Sequence, residues 1–105
     1  MYYRIEWSEW AEIQLDNIFN YYLEEAGINI ATQLIEDLIL SPENLRKNPY
    51  ICQDELLLSH RNINYKYLIR KNYKIIFAID ELTKTIKITD VFDTRQNPIK
   101  IKRNS

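Results

Sequence analysis

The chain has 105 residues, 46% hydrophobic and 28% charged, with a net charge of −1 and a single glycine, cysteine and histidine. That length and apolar content predict one globular domain over residues 1–105, burying roughly two-thirds of its surface without disulfide or metal staples. Gly27 alone cannot build a phosphate loop or dinucleotide fingerprint, and Cys52 with His60 cannot complete a zinc module and makes a poor nucleophile pair, so no metal or cofactor is expected.

Taken in chain order, Tyr3, Ile5 and Trp7 alternate with Arg4 and Glu6, the period of a half-buried strand. Charges at Arg4, Glu6 and Glu9 break any signal-peptide core, and no window reaches the ~20 apolar residues of a membrane span, so a cytoplasmic protein without membrane association is expected. Ser8 reads as a helix N-cap with Glu9 in the first turn. Ala11, Leu15, Ile18, Phe19, Tyr22 and Ala26 then recur at helical spacing, Gly27 ends the stripe, and Ala31, Leu34, Ile35, Leu38 and Ile39 form a second one. A junction that short makes the two helices an antiparallel hairpin. Ser41-Pro42-Glu43 reads as a fresh helix start, and Tyr50 to Asn64 as mostly loop around Leu56, Leu57 and Leu58, with His60 a loop residue.

Three strand patterns follow, over 65–70, 73–80 and 86–92, arguing for a three-stranded antiparallel meander. A three-residue turn at Lys71-Asn72-Tyr73 sets Arg70 opposite Lys74, Tyr67 opposite Phe77 and Tyr65 opposite Ile79. This register collects aromatic and branched residues on a core face and Lys66, Arg70 and Lys74 on the other. A two-residue turn would mix the sets and bury charge, at several kcal/mol unless each charge were paired. The whole is an α+β domain: an N-terminal strand, a helical hairpin and a meander, with helices packed on one sheet face. Residues 1–43 carry nine acids and one base, a net −8, and residues 44–105 thirteen bases and six acids, a net +7. Such a split predicts either a basic surface that meets an anion or two halves that face each other.

This order of elements, closed by Val91-Phe92-Asp93-Thr94-Arg95-Gln96-Asn97-Pro98, resembles the RelE/ParE superfamily of toxins from bacterial type II toxin–antitoxin modules. The resemblance spans nearly the whole chain, and the arginine followed by Gln-Asn-Pro is its most telling piece. It implies a cognate antitoxin that folds onto the toxin in a hetero-oligomer. For a RelE-like member it implies a ribosome-dependent mRNA endoribonuclease, with Lys66, Arg70, Lys74 and Arg95 at the basic positions that would neutralise a phosphorane. Leu68 stands where those enzymes often carry lysine, and Ile99 or Ile101 near where a tyrosine or histidine would move the proton. Tyr73, a possible substitute, points into the core. The resemblance is therefore closer to the ParE-like branch, which binds DNA gyrase and traps cleaved DNA without catalysis of its own. It implies target contacts at Arg70, Lys74, Asp93, Arg95, Gln96 and Asn97, and antitoxin contacts at Leu68, Ile76 and Ala78. A non-toxic, partner-binding member is the remaining alternative.

Overall fold

The computed structural model describes residues 2–55 and 64–95. Strand β1 (Arg4–Trp7) leads into helices α1 (Glu9–Ala26) and α2 (Ile28–Leu40), then short 3-10 turns at Ser41–Leu45 and Pro49–Ile51. Strands β2 (Gln53–Asp54), β3 (Tyr65–Arg70), β4 (Tyr73–Asp80) and β5 (Thr85–Asp93) follow. They form one mixed sheet in the order β1-β5-β4-β3-β2, with β1 parallel to β5 and every other pair antiparallel. The expected meander is its centre, flanked by β1 and by the two-residue β2 inside the stretch read as loop.

The helices form where the caps predict. Ser8 Oγ accepts from the Ala11 N–H at 3.0 Å, and Glu9 and Glu12 occupy the first turn, where the positive end of the helix dipole favours acids. Gly27, at φ 93° and ψ 170°, has a conformation open essentially to glycine; its N–H donates to Tyr22 O at 3.1 Å, and its carbonyl accepts from Ala31 N at 3.1 Å. One residue thus closes α1 and opens α2. Ser41 does not cap a new helix: its backbone stays helical and its hydroxyl donates to Leu38 O at 2.9 Å, so it prolongs α2 into the 3-10 turn that contains Pro42.

Ala11 and Leu15 of α1 and Leu34 and Leu38 of α2 pack on Tyr73, Ile75, Phe77, Ile86, Ile88 and Val91, the helix-facing side of the sheet. Tyr3, Ile5 and Trp7 close this core along β1, and Ala26 and Ile39, assigned to the stripes, are exposed. β5 changes face at a bulge: Phe77 pairs with Ile88 but Ile76 with Asp90, leaving Thr89 as the extra residue. Val91 consequently joins Ile86 and Ile88 in the core, while Phe92 turns to the other face, against Ile76, Tyr65 and Tyr67. The start of β1 is tied down by Glu81, whose carboxylate accepts from Tyr3 OH, Tyr50 OH and Lys84 Nζ. These three donors, Lys84 foremost, lower its pKa to about 2.

Candidate functional site

The β3–β4 turn overturns the expected register. Arg70 pairs with Tyr73, Ile69 with Lys74, Leu68 with Ile75, Tyr67 with Ile76, Lys66 with Phe77 and Tyr65 with Ala78, across a two-residue turn in which Lys71 takes a left-handed φ of 56°. Lys66, Leu68 and Arg70 therefore lie on the helix side of the sheet, and Lys74 with Ile76 and Ala78 on the opposite side. The expected basic face does not exist, and neither does the joint apolar patch of Leu68, Ile76 and Ala78.

The mixed register survives because every displaced charge has an acid. Lys66 Nζ lies 2.9 Å from Asp54 Oδ1 and donates to Cys52 O at 3.2 Å. Lys74 Nζ lies 2.8 Å from Glu55 Oε2 and 4.1 Å from the centroid of the Tyr67 ring, whose face favours a cation. Successive residues at β2 project to opposite faces, so adjacent Asp54 and Glu55 serve one lysine on each side of the sheet. Arg70 forks onto Asp37 of α2, with Nε to Oδ2 at 2.7 Å and Nη2 to Oδ1 at 2.6 Å. Arg70 holds the Asp37 carboxyl below its usual range. This last pair joins the acidic and basic halves of the chain, the second of the two readings of its charge split.

Arg95 lies apart from these three cations, just after β5. Its Nη2 donates to Asp93 Oδ2 at 2.7 Å and its Nε to Asp93 Oδ1 at 3.0 Å, with the side chain 70% exposed. The pair rims a hollow of about 460 Å³ between α1 and the sheet. Gln14, Asn17, Ile18, Tyr21 and Tyr22 form its helical wall, and Tyr73, Val91 and Phe92 its sheet wall. Tyr22 and Tyr73 bring their hydroxyl oxygens to 3.4 Å, and Tyr21 packs edge-on to Tyr22 with centroids 5.1 Å apart. Burial, with the Tyr22 hydroxyl beside it, pushes the Tyr73 phenol well above its usual pKa, so it stays protonated at neutral pH and cannot act as a base.

Hydrogen bonding from Arg95 lowers the Asp93 pKa from 3.8 to about 2. A depressed carboxylate stabilises the fold above its ordinary pKa, and that contribution is lost as the pH falls from about 4 towards about 2. With water around the Arg95 guanidinium, the effect is on the order of 1 kcal/mol. An Asp93→Asn variant is expected to melt earlier at pH 7 and to lose less stability across that acid window, as read by thermal melts at stepped pH.

Of the sequence-predicted residues, the structure brings together Asp93 and Arg95 and separates them from Arg70 and Lys74. Gln96, Asn97, Ile99, Ile101, His60 and Leu56 to Leu58 lie outside the described residues. The wall of Gln14, Asn17 and Tyr21 was not anticipated; its signal is the spacing of Gln14, Asn17, Ile18 and Tyr21 along one edge of the apolar stripe. Among the described residues, no three His, Cys, Asp or Glu side chains gather as a metal-holding group.

A family model described as the ParE toxin of type II toxin–antitoxin system, parDE, matches residues 5–98. Among solved structures, a chain of the chromosomal ParDE TA system from P. aeruginosa superposes with a TM-score of 0.68 at 18% identity, covering 87% of this chain and 95% of that one. An arginine-substituted mutant of E. coli toxin RelE in the free state superposes with a TM-score of 0.53 at 16% identity, covering 98% of each chain. No curated protein matches the sequence.

Proposed function

Since the chain belongs to the ParE toxin family of type II toxin–antitoxin systems, we propose that it arrests growth by binding DNA gyrase and trapping its cleaved-DNA state. In this reading, residues 1–105 act as one toxin domain in the cytoplasm, and a cognate antitoxin neutralises it in a hetero-oligomer. The observation that carries the choice of target is the pairing of Lys66, Arg70, Lys74 and Arg95 with Asp54, Asp37, Glu55 and Asp93 at 2.6 to 2.9 Å. An endonuclease needs cations free to meet phosphate, aimed at one point and accompanied by a proton-transfer group. Here each of the four cations is already paired with an acid, they are not gathered on one face of the sheet, and Tyr73, the phenol offered for proton transfer, is buried.

The Arg95–Asp93 pair and the hollow beside it suit a protein partner better, offering an exposed bidentate cation at the mouth of a mixed polar and aromatic recess. Target contact is assigned there, with Gln96 and Asn97 following in the chain, whereas Arg70 and Lys74 are assigned to the scaffold. The antitoxin segment is assigned to the sheet face away from the helices, at Ala78 and the half-buried Tyr65 and Tyr67, since Ile76 is already covered and Leu68 faces the helices.

Induction of the chain alone in a bacterium carrying a DNA-damage reporter tests this reading. The expected result is growth arrest with an early reporter signal while bulk protein synthesis continues. Prompt loss of translation with a silent reporter would overturn it, as would unimpaired growth with soluble, folded product.

A further inference from the structure

We propose that the tip of the α1–α2 hairpin is a second docking surface for the target, fitted to an apolar pocket rimmed by lysine or arginine. The proposal rests on the target reading above and adds to it the place and chemistry of a contact. Every residue from 23 to 30 is exposed. Leu23 closes α1 at 39% exposure, and Ile28 and Ile30 open α2 at 56% and 50%. Three large apolar side chains exposed across the last turn of α1 and the first turn of α2 are a costly arrangement in water unless something covers them.

The charge at this turn says what covers them. The last turn of α1 has no basic residue and instead holds Glu24 and Glu25. Helix carbonyls already make that end negative, so two acids there break the usual preference for a cation. Neither carboxylate has an ion-pair partner among the described residues. Exposed isoleucines beside two such acids suit a partner that brings an apolar pocket together with a cation. A second copy cannot supply it, because a two-fold contact through the tip would set Glu24 and Glu25 against themselves. Glu24 and Glu25 follow Tyr21 by three and four residues, so they share the face of α1 on which Tyr21 lines the hollow at Arg95.

The test is binding of the full chain to immobilised DNA-gyrase holoenzyme, comparing wild type with Glu24→Lys/Glu25→Lys and with Ile28→Ser/Ile30→Ser. All substitutions are at exposed positions, so Ile28→Ser/Ile30→Ser should melt like wild type, and Glu24→Lys/Glu25→Lys, which puts cations at the negative end of α1, should melt no lower. The expected result is at least about tenfold weaker binding for each. For the charge reversal, most of the loss lies in the association rate and shrinks between about 50 and about 300 mM salt. Wild-type binding that neither variant alters would overturn the tip proposal and leave the target reading standing. No binding by wild type would overturn both. A concentration-dependent dimer that Ile28→Ser/Ile30→Ser dissolves would assign the tip to a second copy and overturn the proposal.

Discussion

Removal of the Lys74 ammonium alone, as Lys74→Met, is expected to cost about 3 kcal/mol of folding stability, and most of that loss should be recovered in Lys74→Met/Glu55→Leu. Glu55 is 3% exposed in its side chain and 2.8 Å from Lys74 Nζ. Once the lysine is gone, a carboxylate remains in a site that water barely reaches, and such half-broken buried pairs are more damaging than their complete replacement by apolar groups. Methionine retains much of the volume against Tyr67 and Phe92, so packing changes little. Urea titration of the three proteins checks the cycle, with equal stability of Lys74→Met and wild type as the contrary result. The same variants bear on mechanism. If Lys74 is scaffold, the double variant still arrests growth; a folded double variant that has lost toxicity would return Lys74 to the functional site.

Arg95→Ala is expected to weaken target binding by about thirtyfold or more and to abolish growth arrest, with a cooperative melting transition only a few degrees below that of wild type, as the loss of a pair contributing on the order of 1 kcal/mol requires. The guanidinium is mostly solvated and its partner Asp93 lies only two residues away, so no distant part of the fold depends on it. At an interface the same group would sit at the mouth of the hollow, where a forked cation meets a carboxylate or carbonyl with directional hydrogen bonds, the setting in which arginine dominates binding energy. Arg46→Ala is the control, as that arginine pairs with Glu43 on a surface away from the hollow and should bind like wild type. Unfolding of Arg95→Ala would make the ion pair structural, and full toxicity would move the target surface elsewhere.

Local signals in the sequence carried much of the architecture. The Ser8 cap, the Gly27 junction and the alternation of Tyr3, Ile5 and Trp7 each depend on residues close in the chain, and each appears where those residues put it. The register of β3 and β4 could not be read in the same way. A two-residue turn sets Lys66 and Arg70 on the core side of the sheet, which is costly unless each charge is paired. The acids that remove this penalty are Asp54, on an edge strand two residues long, and Asp37, on α2, 33 positions from Arg70. A pattern confined to β3 and β4 contains neither. The bulge at Thr89 likewise turns Phe92 away from the face of Ile86 and Ile88, a change that composition does not announce. At the site, the family resemblance singles out Arg95 and Asp93, which the structure brings together as an ion pair. Gln14 and Asn17 lie along the edge of the apolar stripe of α1, and the fold sets them in the wall of the hollow near the end of β5.

Incubation of the purified full chain with DNA gyrase, ATP and supercoiled plasmid, in parallel with translating ribosomes and defined mRNA, tests the central claim most directly. The account predicts linear, gyrase-linked plasmid that increases with the concentration of the chain and is absent with Arg95→Ala, while the mRNA remains intact. Uncleaved plasmid together with mRNA cut on the ribosome would contradict it.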